Sequence, residues 1–191
     1  MTLTAITVNA EYADRKQTGD TKNGQRGKRM KFKKVRYECF VKDSEANGFK
    51  PSEAVYEAIK LPERKTECSC GYDFCTPYDV VLFPDDRVII PTGIKAVDMP
   101  SDTGLMLYIR SSIGIKHGVV FSNGTGVIDA DYANNESNDG DIHLALYNES
   151  LVPIGFNAGD RIAQGVFMRY LTVDDDTASG KRKGGIGSTN D

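Results

Sequence analysis

Five short segments carry the residue types from which an enzyme site could be built. They hold carboxylates, hydroxyls, guanidinium groups and glycines at close spacing. The segments are 70–73 (CGYD), 110–114 (RSSIG), 126–132 (GVIDADY), 159–164 (GDRIAQ) and 181–189 (KRKGGIGST). Guanidinium forks, hydroxyls and glycine backbone amides all donate hydrogen bonds to phosphate oxygens. The set therefore suits an anionic, phosphate-bearing ligand.

The second segment and the tail carry most of the donors. Arg110, Ser111 and Ser112 offer a guanidinium fork and two hydroxyls, although Arg-Ser-Ser is equally common in ordinary surface loops. Gln164 could add a donor from a strand. The tail has three cations before its glycines but lacks the spacing of a P-loop. It is either a lid that closes over a ligand or a solubilising tail.

The carboxylates suggest acid–base and metal chemistry. Asp129 could activate a water molecule as a general base, with the aromatic ring of Tyr132 beside a sugar or base. The alternative is a simple turn, since Asp-Ala-Asp is good turn chemistry. Asp73, just after Gly71, could hold Mg²⁺ directly or through water.

Taken in this order, the five segments resemble the five sequence motifs of the trimeric dUTPases, over about residues 61–189. The resemblance implies an all-β fold, a jelly-roll or β-clip protomer with a short N-terminal helical insertion. It also implies a homotrimer with active sites shared between subunits. The implied reaction is the Mg²⁺-dependent hydrolysis of dUTP to dUMP and pyrophosphate.

The resemblance also implies a role for each matching residue. Asp129 would deprotonate the water that attacks the α-phosphorus, Tyr132 would pack under the deoxyribose, and Asp73 would engage Mg²⁺ through water. The other implied nucleotide contacts are Asn123, Gly126, Val127, Ile128 and His143 around the uracil; Arg110, Ser111, Ser112 and Gln164 on the phosphate chain; and Lys181, Arg182, Ile186, Gly187, Ser188 and Thr189 in the tail, the last two on the γ-phosphate.

Three features depart from the family pattern. Lys181 and Ile186 stand where the family tail usually has an arginine and an aromatic, so the lid is weaker or Arg182 substitutes. Residues 133–140 lengthen a connection that is normally tight. We expect a surface excursion there, with altered nucleotide choice as the alternative. Residues 1–60 exceed the family's usual lead-in.

Two other functions remain open. A dCTP deaminase shares this fold, but it needs a catalytic Glu where this chain has Ala145. A non-catalytic nucleotide-binding or regulatory module is the second alternative. Its partner, a nucleic acid or a regulatory protein, would meet the basic stretch 22–36. A charge run by itself favours a solvated arm.

The elements that must position these residues are mostly strands. From residue 72 onward, short runs of Val, Ile, Tyr and Leu alternate with turn signals, which is typical of a sandwich, barrel or jelly roll. Asn123-Gly124 predicts a hairpin. Residues 30–41 predict a strand, 43–50 a polar loop and 51–60 a short helix. The predicted organisation is a basic flexible extension (1–29), a β domain (30–173, with a helical insertion at about 43–61) and a mobile Gly-rich arm (174–191).

Composition narrows the class of protein. The chain has 191 residues, 39% hydrophobic and 27% charged, which is ordinary for one soluble domain. No apolar run is long enough for a membrane span and no signal peptide is evident, so we expect a cytoplasmic protein, in the host cytoplasm if it is phage-encoded. The thiols should be free, and the C-x-C-x4-C spacing is not a usual zinc pair. His117 and His143, both in predicted β segments, lack a partner at ligand spacing.

Overall fold

The computed structural model of the chain describes residues 29–180, 182 and 184. The predicted N-terminal extension lies almost wholly outside these residues, and so do Lys181, Ile186, Gly187, Ser188 and Thr189. The described residues form eleven strands: β1 (Lys31–Lys34), β2 (Tyr72–Cys75), β3 (Val80–Leu82), β4 (Arg87–Pro91), β5 (Ile94–Val97), β6 (Thr103–Ile109), β7 (Val119–Phe121), β8 (Gly126–Ile128), β9 (His143–Asn148), β10 (Ile154–Phe156) and β11 (Arg161–Arg169). They also form three helices: α1 (Tyr37–Ala46), α2 (Glu53–Ala58) and α3 (Ser111–His117).

Two larger sheets build the body. One has the strand order β2-β11-β6-β8 and the other has β4-β9-β7, all antiparallel. Two pairs, β1 with β5 and β10 with β3, complete the fold. Buried side chains of both sheets, such as Leu107 and Leu146, belong to one hydrophobic core. The predicted all-β class is confirmed.

The alternating pattern of β9 is the clearest link between sequence and packing. Leu144 and Leu146 are fully buried, while His143, Ala145 and Tyr147 between them are half-buried. Successive side chains of a strand point to opposite faces, so the apolar set enters the core.

The N-terminal region differs from its prediction. The strand ends at Lys34, and residues 37–46 form α1 instead of more strand followed by a polar loop. The physical reason is the spacing: Phe40 follows Tyr37 by three residues and Ser44 follows Phe40 by four, which is helical periodicity. The predicted helix at 51–60 is confirmed as α2, whose cap Ser52 accepts a hydrogen bond from the Val55 amide at 3.2 Å.

Helix α1 belongs to the core. Phe40 is fully buried and stacks in parallel on Tyr78, with ring centroids 6.0 Å apart. Gly93, at a φ of +68°, passes beneath it. A Cβ there would meet Phe40 at 3.0 Å and Ile59 at 2.5 Å. Helix α1 is therefore packed into the domain rather than attached to its surface.

Two predictions about the loops are wrong. Asn123-Gly124 forms a turn, but β7 and β8 on either side pair with different sheets, so there is no hairpin. Residues 133–140 are not a surface excursion as a whole: Asn134, Glu136 and Ser137 are exposed, but the rest of the loop is buried or half-buried. Asn135, Asn138 and Asp139 are each no more than 6% exposed. The side-chain amides of Asn135 and Asn138 and the carboxylate of Asp139 all have hydrogen-bond partners. These bonds offset the free-energy cost of burying the polar groups.

The loop is also fixed from outside by charge. Lys95 of β5 donates to the Asp139 carboxylate at 2.7 Å and to the Asn134 side chain at 2.8 Å. The backbone amide of Arg36 donates to the same carboxylate at 2.8 Å. The loop thus connects α1 and β5 to the segment that carries Asp129.

The predictions about the thiols, membrane spans and His117 can be compared with the described residues. All four cysteines are free, with Cys68 and Cys70 exposed. No helix in the described part of the chain has the length and apolar character needed to cross a membrane. His117, predicted in a strand, instead closes α3.

Candidate active site

Three of the five segments meet at one cavity of about 280 Å³. Strands β2, β11 and β6 lie side by side, and their ends bring the first, second and fourth segments together. The cavity is lined by Lys65, Ser69, Gly71, Asp73, Arg110, Ser111, Ser112, Arg161 and Gln164. It therefore contains all the residues of these segments for which a phosphate or metal role was predicted.

The cavity is electropositive. Three cationic side chains and one carboxylate line it. Asp73 accepts a hydrogen bond from Arg161 Nη1 at 2.8 Å, and its other oxygen lies 3.3 Å from Arg110 Nε. Arg110 Nη1 also donates to the Arg161 carbonyl at 3.1 Å. The carboxylate thus orients two guanidinium groups, and the remaining charge suits an anion.

Gly71 is closely approached by the side chain of Gln164. A Cβ on Gly71 would lie 2.4 Å from Oε1 of Gln164, so that side chain would have to move. Gln164 sits in β11 directly opposite Asp73 of β2 and Tyr108 of β6. The absence of a side chain at Gly71 lets the Gln164 amide reach the cavity.

The sequence analysis missed Arg161 and Lys65. Arg161 stands three residues before Gln164, and in a regular strand these side chains would face opposite sides. The ladder between β11 and β2 shifts register between Arg161 and Ala163, which brings both to the cavity. The only signal for Arg161 was its place inside the fourth segment, and Lys65 had none.

The third segment forms a separate group at the end of β8. Asp129 follows the strand, and its side chain is 51% exposed. Tyr132 is buried, and its hydroxyl donates to the Asp141 carbonyl at 3.0 Å. Burial raises the pKa of Tyr132, so the hydroxyl stays protonated.

Arg182 from the C-terminal segment contacts this group. Its guanidinium donates to the carboxylate of Asp129 and, through Nε, to Asp131 at 3.1 Å. The same guanidinium lies over the ring of Tyr132, 5.6 Å from the centroid. Among the tail residues that the structure describes, Arg182 is therefore a cation that lies beside Asp129.

The other residues predicted around the base have mixed surroundings. Asn123 lies in an exposed turn, Gly126 and Ile128 pair with β6, and the side chain of Val127 is exposed. His143 begins β9, opposite Pro91, and its ring is turned toward Asp43 of α1, with Nε2 2.9 Å from Oδ2. Only its backbone could face a base at the end of β9.

The phosphate cavity and the Asp129 group lie at opposite ends of β6. Ile128 pairs with Leu105, whereas Arg110 follows five residues further along the same strand. At about 3.4 Å per residue, roughly 17 Å separates them. Within one chain, the carboxylate and the arginine cannot act on one phosphate group.

Comparisons with known proteins identify the family. The dUTPase family model matches residues 57–190. The deoxyuridine 5'-triphosphate nucleotidohydrolase of Lactococcus lactis subsp. lactis is 41% identical over 133 residues, covering 69% of this chain and 88% of that protein. The crystal structure of the Streptococcus mutans dUTPase matches with a TM-score of 0.60 and 33% identity, covering 75% of this chain and 98% of that one.

A more distant structure shares the fold. The dUTPase of Staphylococcus bacteriophage 80alpha, solved with dUpNHpp, is 21% identical with a TM-score of 0.56, covering 84% of this chain and 98% of that chain. Sequence and fold agree, and the chain belongs to the dUTPase family, whose activity is the hydrolysis of dUTP.

Proposed function

We propose that this chain hydrolyses dUTP to dUMP and pyrophosphate, with Asp129 activating the water that attacks the α-phosphorus. The observation that carries the proposal is the half-exposed carboxylate of Asp129, which is contacted by Arg182, whose guanidinium also lies over the Tyr132 ring. A carboxylate at such a position can hold a water molecule and accept its proton. The ring of Tyr132 would pack under the deoxyribose and disfavour a 2′-hydroxyl, as the family resemblance implies.

The phosphate chain would bind in the electropositive cavity. Arg110 and Arg161 are already oriented by Asp73, so they need little reorganisation when an anion arrives. The hydroxyls of Ser111 and Ser112 and the amide of Gln164 add uncharged donors. Catalysis would rest on positioning and charge neutralisation, as in other phosphoryl chemistry.

The cavity also fits the Mg²⁺ that the family implies. Asp73 presents one oxygen to each arginine, and each oxygen keeps a lone pair that can accept a hydrogen bond from a metal-bound water. Asp73 would therefore hold the hydrated ion against the triphosphate. When bound, Mg²⁺ supplies charge neutralisation on the phosphate oxygens.

The distance along β6 supports a shared active site. Because roughly 17 Å separates Asp129 from Arg110 in one chain, a complete site needs the phosphate cavity of one subunit and the Asp129 group of another. We propose a homotrimer in which three such sites form at the subunit contacts. The phage dUTPase solved with dUpNHpp supports a triphosphate analogue as the ligand.

The deaminase alternative gains no support from the described residues. The position that would need a catalytic Glu is Ala145, opposite Ile89 in the β4–β9 ladder. A methyl side chain cannot transfer protons. Asp141, four residues before Ala145, is fully buried.

Mixing two inactive variants tests both the roles and the sharing. Asp129→Asn and Arg110→Ala should each release almost no pyrophosphate from dUTP. Co-refolded at equal amounts, they should regain activity, because about a quarter of the shared sites would combine two intact halves. Asp131→Asn, in the same loop, serves as the comparator that removes a charge facing Arg182 but keeps Asp129.

Each outcome decides something specific. No recovery in mixed oligomers of confirmed composition would mean that each site lies within one subunit. A fully active Asp129→Asn variant would refute the role of that carboxylate. Wild-type protein that is monomeric in sedimentation, yet active, would refute the trimer.

A further inference from the structure

A buried cluster outside the proposed catalytic groups joins the N-terminal insertion to the body. Asp43 comes from α1, and Asp141 and His143 come from the start of β9. Each contributes one ligand-type atom, and these atoms all lie within 4.8 Å of one another. Nε2 of His143 is 2.9 Å from Asp43 Oδ2 and 3.9 Å from Asp141 Oδ2.

The Asp141 carboxylate is only half satisfied. One oxygen accepts a hydrogen bond from the Gly93 amide at 2.8 Å and lies 3.5 Å from the Thr92 hydroxyl. The other oxygen is the one buried side-chain polar atom without a hydrogen-bond partner among the residues described, and it points into the cluster. Asp141 is fully buried, so water cannot compensate from the surface. An unpaired buried oxygen of this kind costs free energy unless a proton or a cation meets it.

The electrostatics of the cluster favour the addition of a positive charge. Two carboxylates and one imidazole share a space from which solvent is nearly excluded. Burial raises the pKa of Asp141 to about 7. Burial alone would lower the pKa of His143, but the hydrogen bond to Asp43 and the nearby Asp141 outweigh it and raise that pKa. The Asp141 shift is caused mainly by burial, whereas the His143 shift reflects the two neighbouring carboxylates.

We propose that Asp43, Asp141 and His143 bind one divalent transition-metal ion, with Zn²⁺ the best match. One imidazole nitrogen and two carboxylate oxygens form a mixed donor set that Zn²⁺ accepts and that Mg²⁺ does not favour. Ligand atoms around a tetrahedral Zn²⁺ are roughly 3.4 Å apart, and the two observed separations of 2.9 and 3.9 Å bracket that value. The contacts from Gly93 and Thr92 would orient the ligating Asp141 as an outer shell.

The site would have a structural role. The backbone carbonyl of Asp141 accepts a hydrogen bond from the Tyr132 hydroxyl. A metal bound to the Asp141 side chain would therefore also restrict the position of the Tyr132 ring. Asp43 would connect the same point to α1. The metal would therefore attach the insertion to the segment that carries the proposed nucleotide site, independently of the Mg²⁺ at Asp73.

The sequence could not predict this cluster. His143 has no ligand partner nearby in sequence except Asp141, and Asp43 lies 100 residues away. The expectation that neither histidine binds metal was based on spacing alone. Folding supplies the third ligand.

The first test measures Zn²⁺ binding to the full chain. The exposed thiols are soft ligands, so all samples carry Cys68→Ser and Cys70→Ser. After dialysis against Zn²⁺ in excess Mg²⁺, elemental analysis should find one Zn²⁺ per chain. Asp43→Asn and His143→Gln should lower this to less than a tenth. Glu45→Gln, an exposed carboxylate on the same helix, should bind one Zn²⁺ as before.

A second measurement needs no variant of the site. The chain has two histidines, and His117 is exposed, so it is an internal control. In ¹⁵N-detected ring spectra, Zn²⁺ should shift the His143 nitrogens and leave those of His117 unchanged, with assignment by His117→Gln. Co²⁺ in place of Zn²⁺ should give the intense visible absorption of a tetrahedral site.

The opposing results are clear. Protein with the Cys68→Ser and Cys70→Ser changes alone that retains no Zn²⁺, or ring signals of His143 that Zn²⁺ does not move, would overturn the site and leave a proton on Asp141 as the compensating charge. Stoichiometric Zn²⁺ in both Asp43→Asn and His143→Gln would place the metal elsewhere. Loss of Zn²⁺ in Glu45→Gln would have the same meaning.

Discussion

Arg182 donates a hydrogen bond to the carboxylate of Asp129, 53 residues earlier in the chain, while its guanidinium lies over Tyr132. The family tail usually has its arginine at position 181, where this chain has lysine. The structure places the neighbouring arginine beside the carboxylate. The one-residue departure therefore leaves the chain with a tail guanidinium that reaches the site.

Loss of this contact should impair turnover. We expect Arg182→Ala to lower kcat/KM for dUTP by about 10- to 100-fold, the size of one charge-assisted contact or a little more. Arg182→Lys should recover only part, because an ammonium group cannot make the forked contact. Arg87→Ala, an exposed arginine on the other sheet, is the control and should match wild type. An Arg182→Ala enzyme with normal kcat/KM would show that the tail cation is dispensable.

A methyl group at Gly71 should disturb the phosphate cavity. In Gly71→Ala the new Cβ would overlap the Gln164 amide, which must turn away. We expect KM for dUTP to rise about tenfold or more, as a bound donor is lost. Gly155→Ala, on exposed strand β10 with no atom within 4 Å of its Cβ, should leave KM unchanged. Equal kinetics in both variants would contradict the close approach.

The packed loop at 133–140 predicts a difference between two glycines of similar conformation. Gly140 and Gly48 have φ of +87° and +81°. A Cβ on Gly140 would lie 2.6 Å from the Ala133 Cα, whereas one on Gly48 meets nothing within 4 Å. Gly48→Ala should cost about 1–2 kcal/mol of unfolding free energy, from the left-handed backbone alone. Gly140→Ala should cost about 2 kcal/mol more, because overpacking against backbone adds to it.

Urea unfolding followed by circular dichroism measures both values. If the two variants are equally destabilised, the loop 133–140 is not packed as described. A Gly140→Ala protein of wild-type stability would argue for the surface excursion that the sequence suggested.

Helix α1 should behave as part of the core. Phe40→Ala removes a fully buried ring that contacts Tyr56 and Tyr78, and we expect a loss of about 3–5 kcal/mol. Glu45→Ala, on the exposed side of the same helix, should change stability by less than about 0.5 kcal/mol. Thermal and urea denaturation of the three proteins would provide the comparison. A mild effect of Phe40→Ala would mean that the insertion docks loosely.

The sequence predicted the class of fold and which of the proposed phosphate-binding residues lie together, because those signals are local. Alternation marks β9, and the motifs stand in the order of the family. Asp73, Arg110 and Gln164 converge as expected, since β2, β6 and β11 are neighbours. The helix at 37–46 could also have been predicted, because Tyr37 and Phe40 are three residues apart, as on one face of a helix. The apolar–polar alternation of the preceding residues suggested a strand instead.

Other features depend on contacts between residues distant in sequence, which no local sequence pattern indicates. The register shift after Arg161 turns that side chain into the cavity, and a bulge has no reliable sequence signature. The burial of Asp139 depends on Lys95 and Arg36, which are distant in sequence. The cluster of Asp43 with His143 exists only after α1 has packed onto β9.

The most direct measurement is pyrophosphate release by the purified protein with Mg²⁺, offering dUTP, dTTP, dCTP and UTP separately. Wild type should turn over dUTP selectively, with UTP a poor substrate because packing of the sugar on Tyr132 would disfavour a 2′-hydroxyl. Asp129→Asn should be slower by about 10²- to 10⁴-fold with its circular dichroism spectrum unchanged. Equal turnover of all four nucleotides, or an Asp129→Asn variant as fast as wild type, would contradict the account.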